Sequence, residues 1–256
     1  MKYQTILAIL FAAIAFCLSG TALATPAEKP VPWNWPEEPE NLKVLTQLKG
    51  QRLAPVMTGF TRALGVRCTH CHVGVDGESF HDYDFASDEK LAKRTARRML
   101  EMLGDINSHL DEVEHSGPEP VNMWCDTCHR GRPRPLRLHD ELAEVYVASG
   151  KDAALAHYEE LRERFYGRGA YDFGPNALNS FGYQVLGDGD IDGAVDIFER
   201  NVALHPDNGN AHDSLGEGYM KQGRTAAAIE SYERALQLNP RNDNARQQLE
   251  VLRQAR

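Results

Sequence analysis

"GNAHDSLGEGYMKQGRTAAAIESYERALQLNPRN", residues 209–242, repeats in register the 34 residues before it, "PNALNSFGYQVLGDGDIDGAVDIFERNVALHPDN", residues 175–208. Phe181-Gly182 falls on Leu215-Gly216, Ala194 on Ala228, Phe198 on Tyr232 and Pro206 on Pro240. Small residues at fixed positions allow two helices to close on each other, and the terminal Pro stops the second one. The period therefore predicts stacked helical hairpins. Such units need about three copies and a cap to bury their apolar faces. "HDELAEVYVASGKDAALAHYEELRERF", residues 139–165, reads as a divergent helical pair supplying the first unit, and residues 243–254 read as the capping helix.

This half resembles the tetratricopeptide repeat. The resemblance implies a concave surface that binds a peptide or protein. Upstream, the prolines of "HRGRPRPLRL" suit an extended linker.

Beyond that linker the chemistry changes. "VRCTHCHVG", residues 66–74, contains Cys68, Cys71 and His72, and "MWCDTCHRG", residues 123–131, contains Cys125, Cys128 and His129. In a c-type haem two cysteines form thioethers with the porphyrin and the next His becomes the proximal iron ligand. Histidine makes up 10 of 256 residues, so its chance recurrence after both pairs is on the order of 0.2%. A four-cysteine zinc site expects about 15–20 residues between pairs, whereas 53 separate Cys71 from Cys125. A thioredoxin-like dithiol needs a βαβ context, and strand signals are almost absent. The motifs read as two covalently bound haem c groups, with His70 a bystander.

A Met thioether opposite the His closes an iron to substrates and raises its potential. In "LAPVMTGFTRALGVRC" Pro55 suits a first helical turn, Met57, Phe60 and Leu64 share a face, and Gly65 turns the chain into the motif. Met57, 11 residues before Cys68, reads as an axial ligand; most helix-face methionines are core, but a helix beside an attached haem packs on the porphyrin. In "FASDEKLAKRTARRMLEMLGDINSHL" Ser87 is the N-cap candidate, and Asp88 and Glu89 suit the positive first turn. Ala92, Ala96, Met99, Leu103 and Ile106 form an apolar stripe, while Lys93, Arg94, Arg97 and Arg98 are expected to leave the core. Met99 and Met102 both border the stripe, and spacing does not choose between them. Met123 is too near Cys125 to loop over a ring. His109 and His115 are bis-histidine candidates that read more simply as loop or surface residues.

With these features in place, residues 41–137 resemble the cytochrome subunit of photosynthetic reaction centres. The resemblance rests on "M…ALGVRCTHCH" from Met57, "ARRMLEM" from Ala96, Ile106-Asn107, and "CDTCHRGRPRP" from Cys125. It implies a compact dihaem unit with local two-fold symmetry, with Met57 and Met99 as axial ligands and Met102 as the fallback. The family carries four haems where this chain has two motifs. The segment from Asn107 to Cys125 is also longer than the family pattern. A family histidine there serves a haem of the missing half, and His115, or less so His109, is its counterpart.

At the start, Lys2, the apolar run "ILAILFAAIAF" and the small-x-small site Ala22-Leu23-Ala24 read as a secretory signal peptide cleaved after Ala24. The run is short of the roughly 20 apolar residues of a membrane span. Cys17 follows the bulky Phe16, unlike a lipid-acceptor cysteine, and is expected to leave with the signal peptide. Cleavage leaves 27 basic and 37 acidic residues, which argues against nucleic acid as a partner. It also leaves four cysteines, all in the two motifs.

The expected architecture is mainly α. It comprises a signal peptide (1–24), a Pro-rich segment (25–40), a dihaem cytochrome domain (41–137), a helical pair (138–168) and a repeat array with its cap (169–256). The expected function is an exported, periplasmic electron carrier without a transmembrane span, serving redox partner proteins and docking one through its repeats. A dihaem peroxidase with one open iron, or a haem-containing scaffold, are the competing readings.

Overall fold

The computed structural model describes residues 32–114, 117 and 121–254. The signal peptide, Cys17 and His115 lie outside them. The fold is mainly α, as the periodicity predicts. Among the described residues there is no strand, only an isolated antiparallel bridge between Val73 and Asp84. From Asn34 onward the described chain forms one unit.

The N-terminal half holds α1 (Leu53–Leu64), α2 (Leu91–Leu110) and the short α3 (Cys125–His129). Then follow α4 (Leu138–Phe165), α5 (Pro175–Gly187), α6 (Ile191–Leu204), α7 (Gly209–Lys221), α8 (Thr225–Leu238) and α9 (Asp243–Gln254). Gly150 has φ 83° and ψ 177°, so α4 is two helices joined at a kink.

Local chemistry explains where the later helices begin. Pro175 sits in the first turn of α5, where its missing N–H costs no hydrogen bond. Asp190 caps α6 by accepting from the Gly193 amide (2.8 Å), and Asn208 caps α7 by accepting from Ala211 (2.9 Å). Asn242 accepts from the Ala245 amide at the start of α9 (3.0 Å).

The repeat register has a steric cause. A Cβ on Gly182 would lie 2.4 Å from Phe198 Cε1, and one on Gly216 would lie 2.9 Å from Tyr232 Cδ1. Each glycine thus admits the ring of the following helix. Ala194, Phe198, Ala228 and Tyr232 are all fully buried. Burying a side chain the size of Phe198 contributes about 1.5–3 kcal/mol. Around these rings lie Leu142, Tyr158, Leu178 and Ile197 on one side, and Ala245 and Leu249 on the other.

Two expectations for α2 are corrected. It starts at Leu91, with Lys90 at the cap position and no side-chain cap bond, rather than after Ser87. Ser87 Oγ instead accepts from the Glu89 amide (3.1 Å) in a local turn. Asp88 is taken by two distant partners, Asn41 Nδ2 (2.9 Å) and Lys43 Nζ (2.8 Å), and by Arg97 Nη1 (2.8 Å) and Lys93 Nζ (3.3 Å) of α2. For the same reason Lys93 and Arg97 fold back into partly buried positions instead of pointing away. Lys93 also donates to the carbonyls of Phe85, Ala86 and Ser87.

Candidate functional site

The first motif hangs from the end of α1. Gly65 takes the left-handed conformation (φ 65°), and the Val66 amide returns to Thr61 O (3.0 Å), closing the helix and reversing the chain. Cys68–His70 form a 3-10 turn, and the His72 amide bonds Cys68 O (2.9 Å), placing both thiols and the His on consecutive turns. The His72 ring meets Phe85 edge-on (centroids 5.0 Å), and Phe85 stacks on Tyr83 (5.3 Å). Burial, followed by the nearby Lys93 charge, pushes the His72 imidazole down to about 4. The ring is therefore neutral near pH 7, with a lone pair to offer. Its Nδ1 is buried without a well-formed hydrogen bond, although the Phe85 backbone lies close enough to favour the proton slightly.

The second motif is one helical turn. Cys125 and Cys128 stand three apart on the same face of α3. The Trp124 amide donates to Thr127 Oγ1 (3.1 Å) at its start, and Arg130 ends it in the left-handed region (φ 49°). His129 is 8% exposed, and its Nδ1 lies 2.9 Å from Arg132 O. A carbonyl can only accept, so Nδ1 carries the proton and Nε2 keeps the lone pair.

The two helices brace both motifs. The N-terminal end of α2 reaches the first, where Lys90 Nζ donates to Thr69 O. Near its other end Asn107 clamps the approach to the second, donating to Met123 O (3.0 Å) and accepting from the Met123 amide (2.8 Å). The end of α1 meets the second motif where the Gly131 amide bonds Ala63 O (2.8 Å). Phe60 of α1 stacks on Trp124 (5.7 Å).

Of the sulfur candidates, Met57 is half-buried on α1, while Met99 (37%) and Met102 (46%) are both exposed on α2. His70 and His109 are exposed as well. None of the 20 residues of α2 is buried, despite its apolar stripe. Among the described residues no group of three or more His, Cys, Asp or Glu side chains gathers around one point, so the two cysteine pairs do not share a site.

These residues fit a covalent haem at each motif. The four cysteines are free, and burial raises the Cys71 and Cys125 thiols, which keeps them protonated. His129 presents Nε2, His72 is neutral, and α2 offers an apolar face that no protein layer buries among the described residues.

Sequence reasoning missed Arg132, the middle of the stretch read as a linker. It is 7% exposed. Its guanidinium stacks on Tyr171 (3.9 Å to the ring centroid), and its Nη1 donates to Leu136 O (2.6 Å). Its place three residues after His129 was the available signal, since a local turn brings that carbonyl to the imidazole. Asn107 was visible only as part of the Ile106-Asn107 match, without its role, and the stacking of Trp124 on Phe60 depends on a contact across the fold.

A family described as "Photosynthetic reaction centre cytochrome C subunit" matches residues 25–158, and the tetratricopeptide repeat matches residues 209–242. The photosynthetic reaction center cytochrome c subunit of Roseobacter denitrificans is 31% identical over 118 residues, covering 45% of this chain and 30% of that protein. The subunit of Rubrivivax gelatinosus is 31% identical over 101 residues, covering 39% and 24%. The chain thus spans less than a third of the length of these curated relatives. Among solved structures, the first tetratricopeptide domain of human RPAP3 is similar at 20% identity, covering 46% of this chain and 88% of that one (TM-score 0.34). MamA is similar at 19% identity, covering 47% and 65% (TM-score 0.34).

Proposed function

Because the chain belongs to the photosynthetic reaction centre cytochrome C subunit family, we propose that it is an exported dihaem c-type cytochrome. On this reading it carries single electrons through two His/Met-ligated haems and docks a protein partner on its repeats. Haem c, when bound, supplies reversible one-electron chemistry at its iron.

The side chains do the rest. Cys68 and Cys71 anchor one group, and Cys125 and Cys128 the other. His72 is kept neutral by burial and Lys93 and so offers a lone pair. His129 is held in one tautomer by the Arg132 carbonyl. Met57 and Met99 would each offer a thioether sulfur to one iron and help exclude water and substrates, with Met102 as the alternative to Met99. The observation that carries the reading is His129 itself: a buried imidazole at the end of a Cys-x-x-Cys turn, with Nδ1 engaged and Nε2 left to bind metal.

Export rests on Lys2, the apolar run and the site at Ala22-Leu23-Ala24, and implies a periplasmic protein. No helix among the described residues is long and apolar enough to cross a membrane. The cytochrome domain is assigned to 41–137, the divergent helical pair to 138–168, and partner docking to the repeats of 169–256.

The test is the intact protein matured in a host that attaches c-type haem. The mass should rise by two haem groups, and replacing either cysteine pair by alanine should remove one. A redox titration should show two one-electron waves. Fewer than two haems, or haems that cannot be cycled, overturns the reading. Ready carbon monoxide binding at either iron favours an open-site enzyme instead.

A further inference from the structure

The turn that carries His129 is pinned from two directions. On one side the Gly131 amide is held by Ala63 O of α1. On the other the contacts run into the helical array. Arg130 Nη1 donates to Gly169 O (3.1 Å), and the Arg132 guanidinium lies flat on the Tyr171 ring. Tyr171 donates its hydroxyl to Glu141 Oε2, and Glu141 Oε1 pairs with His157 Nε2 (2.9 Å). Burial, and then Glu141, raise the Tyr171 pKa, so the phenol keeps the proton it donates. Glu141 and His157 belong to α4, and Tyr171 to the loop before α5. The chain His129–Arg132–Tyr171–Glu141–His157 therefore joins a proximal-histidine candidate to the first unit of the array.

We propose that Tyr171 is a positioning residue for the second haem site: its ring fixes Arg132, whose carbonyl oxygen orients the His129 imidazole. The inference rests on the reading of His129 as the proximal ligand. The first site is its internal control, because the chain of contacts from Tyr171 and Arg132 ends at His129 and does not include His72.

The sign of the effect follows from the hydrogen bond. An acceptor on Nδ1 makes the imidazole a stronger donor to the metal and favours the oxidised state. Releasing Arg132 weakens that bond, so the second haem should become easier to reduce while the first stays as it was. A partner that moves α4 or the 168–173 loop would act on the second haem by the same route.

The experiment is potentiometry on the full-length holoprotein. Tyr171→Ala should shift one haem's oxidised-to-reduced ratio about tenfold towards reduction, or 59 mV for one electron. Tyr171→Phe, which keeps the stacked ring, should stay within about twofold. In a Cys125→Ala/Cys128→Ala background, Tyr171→Ala should leave the remaining potential unchanged. If Tyr171→Ala does not fold, Tyr171→Leu keeps the bulk without the ring face and should give the same selective shift. No shift at either haem, or an equal shift at both, overturns the proposal. If His129→Ala leaves both haem spectra unchanged, the assignment of His129 fails instead, which separates the two readings.

Discussion

Gly65 and Gly131 meet backbone to backbone: a Cβ on Gly65 would lie 2.1 Å from the Gly131 carbonyl oxygen. One glycine ends the helix before the first motif, and the other follows the second. Both have positive φ, 65° and 82°, but a Cβ on Gly131 meets nothing within 4 Å. Gly131→Ala should therefore cost only the left-handed strain, about 1–2 kcal/mol. Gly65→Ala adds a backbone collision and should cost distinctly more. Denaturant titration of both variants, followed by far-UV circular dichroism, checks the order; equal losses would mean that the close approach does not matter.

Asn107 makes two bonds to the Met123 backbone, one as donor and one as acceptor. Asn107→Ala should cost about 1–3 kcal/mol locally and free the segment leading into the second motif. Hydrogen exchange at the Met123 amide reads this directly. Its protection should collapse in the variant while amides in α7 and α8 keep theirs.

The difference between the halves shows what a sequence can reveal. The repeat fold was legible because one residue in each copy, Gly182 or Gly216, must admit one ring, Phe198 or Tyr232, and that constraint recurs at a fixed period. The haem motifs were legible because their chemistry needs adjacent residues. The start of α2 was not, since Asp88 answers to Asn41 and Lys43, more than 40 positions away. Arg132 was misjudged for a similar reason: flanking prolines signal an extended chain, while its burial depends on Tyr171, which comes later in the sequence.

Asp88 should also contribute to acid stability. Arg97, then Lys43 and Asn41, hold its carboxyl far below the usual carboxylate range. A depressed folded pKa contributes stability that is fully present above the unfolded value of about 3.9 and is lost as the pH falls towards the folded one. Asp88→Asn should thus be less stable than wild type at pH 7, and the gap should close below about pH 4. Melting curves across that range check the convergence, and added salt should narrow the gap at neutral pH.

In the repeats, Gly182→Ala sets helix propensity against packing. Alanine favours a helix interior by about 1 kcal/mol, yet here its Cβ would stand 2.4 Å from a fully buried Phe198. Overpacking of that kind costs about 1–3 kcal/mol, so a net loss is expected. Adding Phe198→Leu should recover part of it, and a thermal double-mutant cycle measures the coupling. Independent losses would show that the ring does not rest on Gly182.

Met99 and Met102 are three apart on α2, and both are exposed, so burial alone does not choose the ligand. Sequence spacing does not choose either. The resemblance to the family favours Met99, which follows the Ala96-Arg97-Arg98 stretch, over Met102, and substitution separates the two. Met99→Leu preserves the apolar volume and removes only the sulfur. It should abolish the sulfur-to-iron charge-transfer absorption of one haem and open that iron to carbon monoxide. Met102→Leu should leave both properties unchanged, and the reverse pattern would transfer the role to Met102.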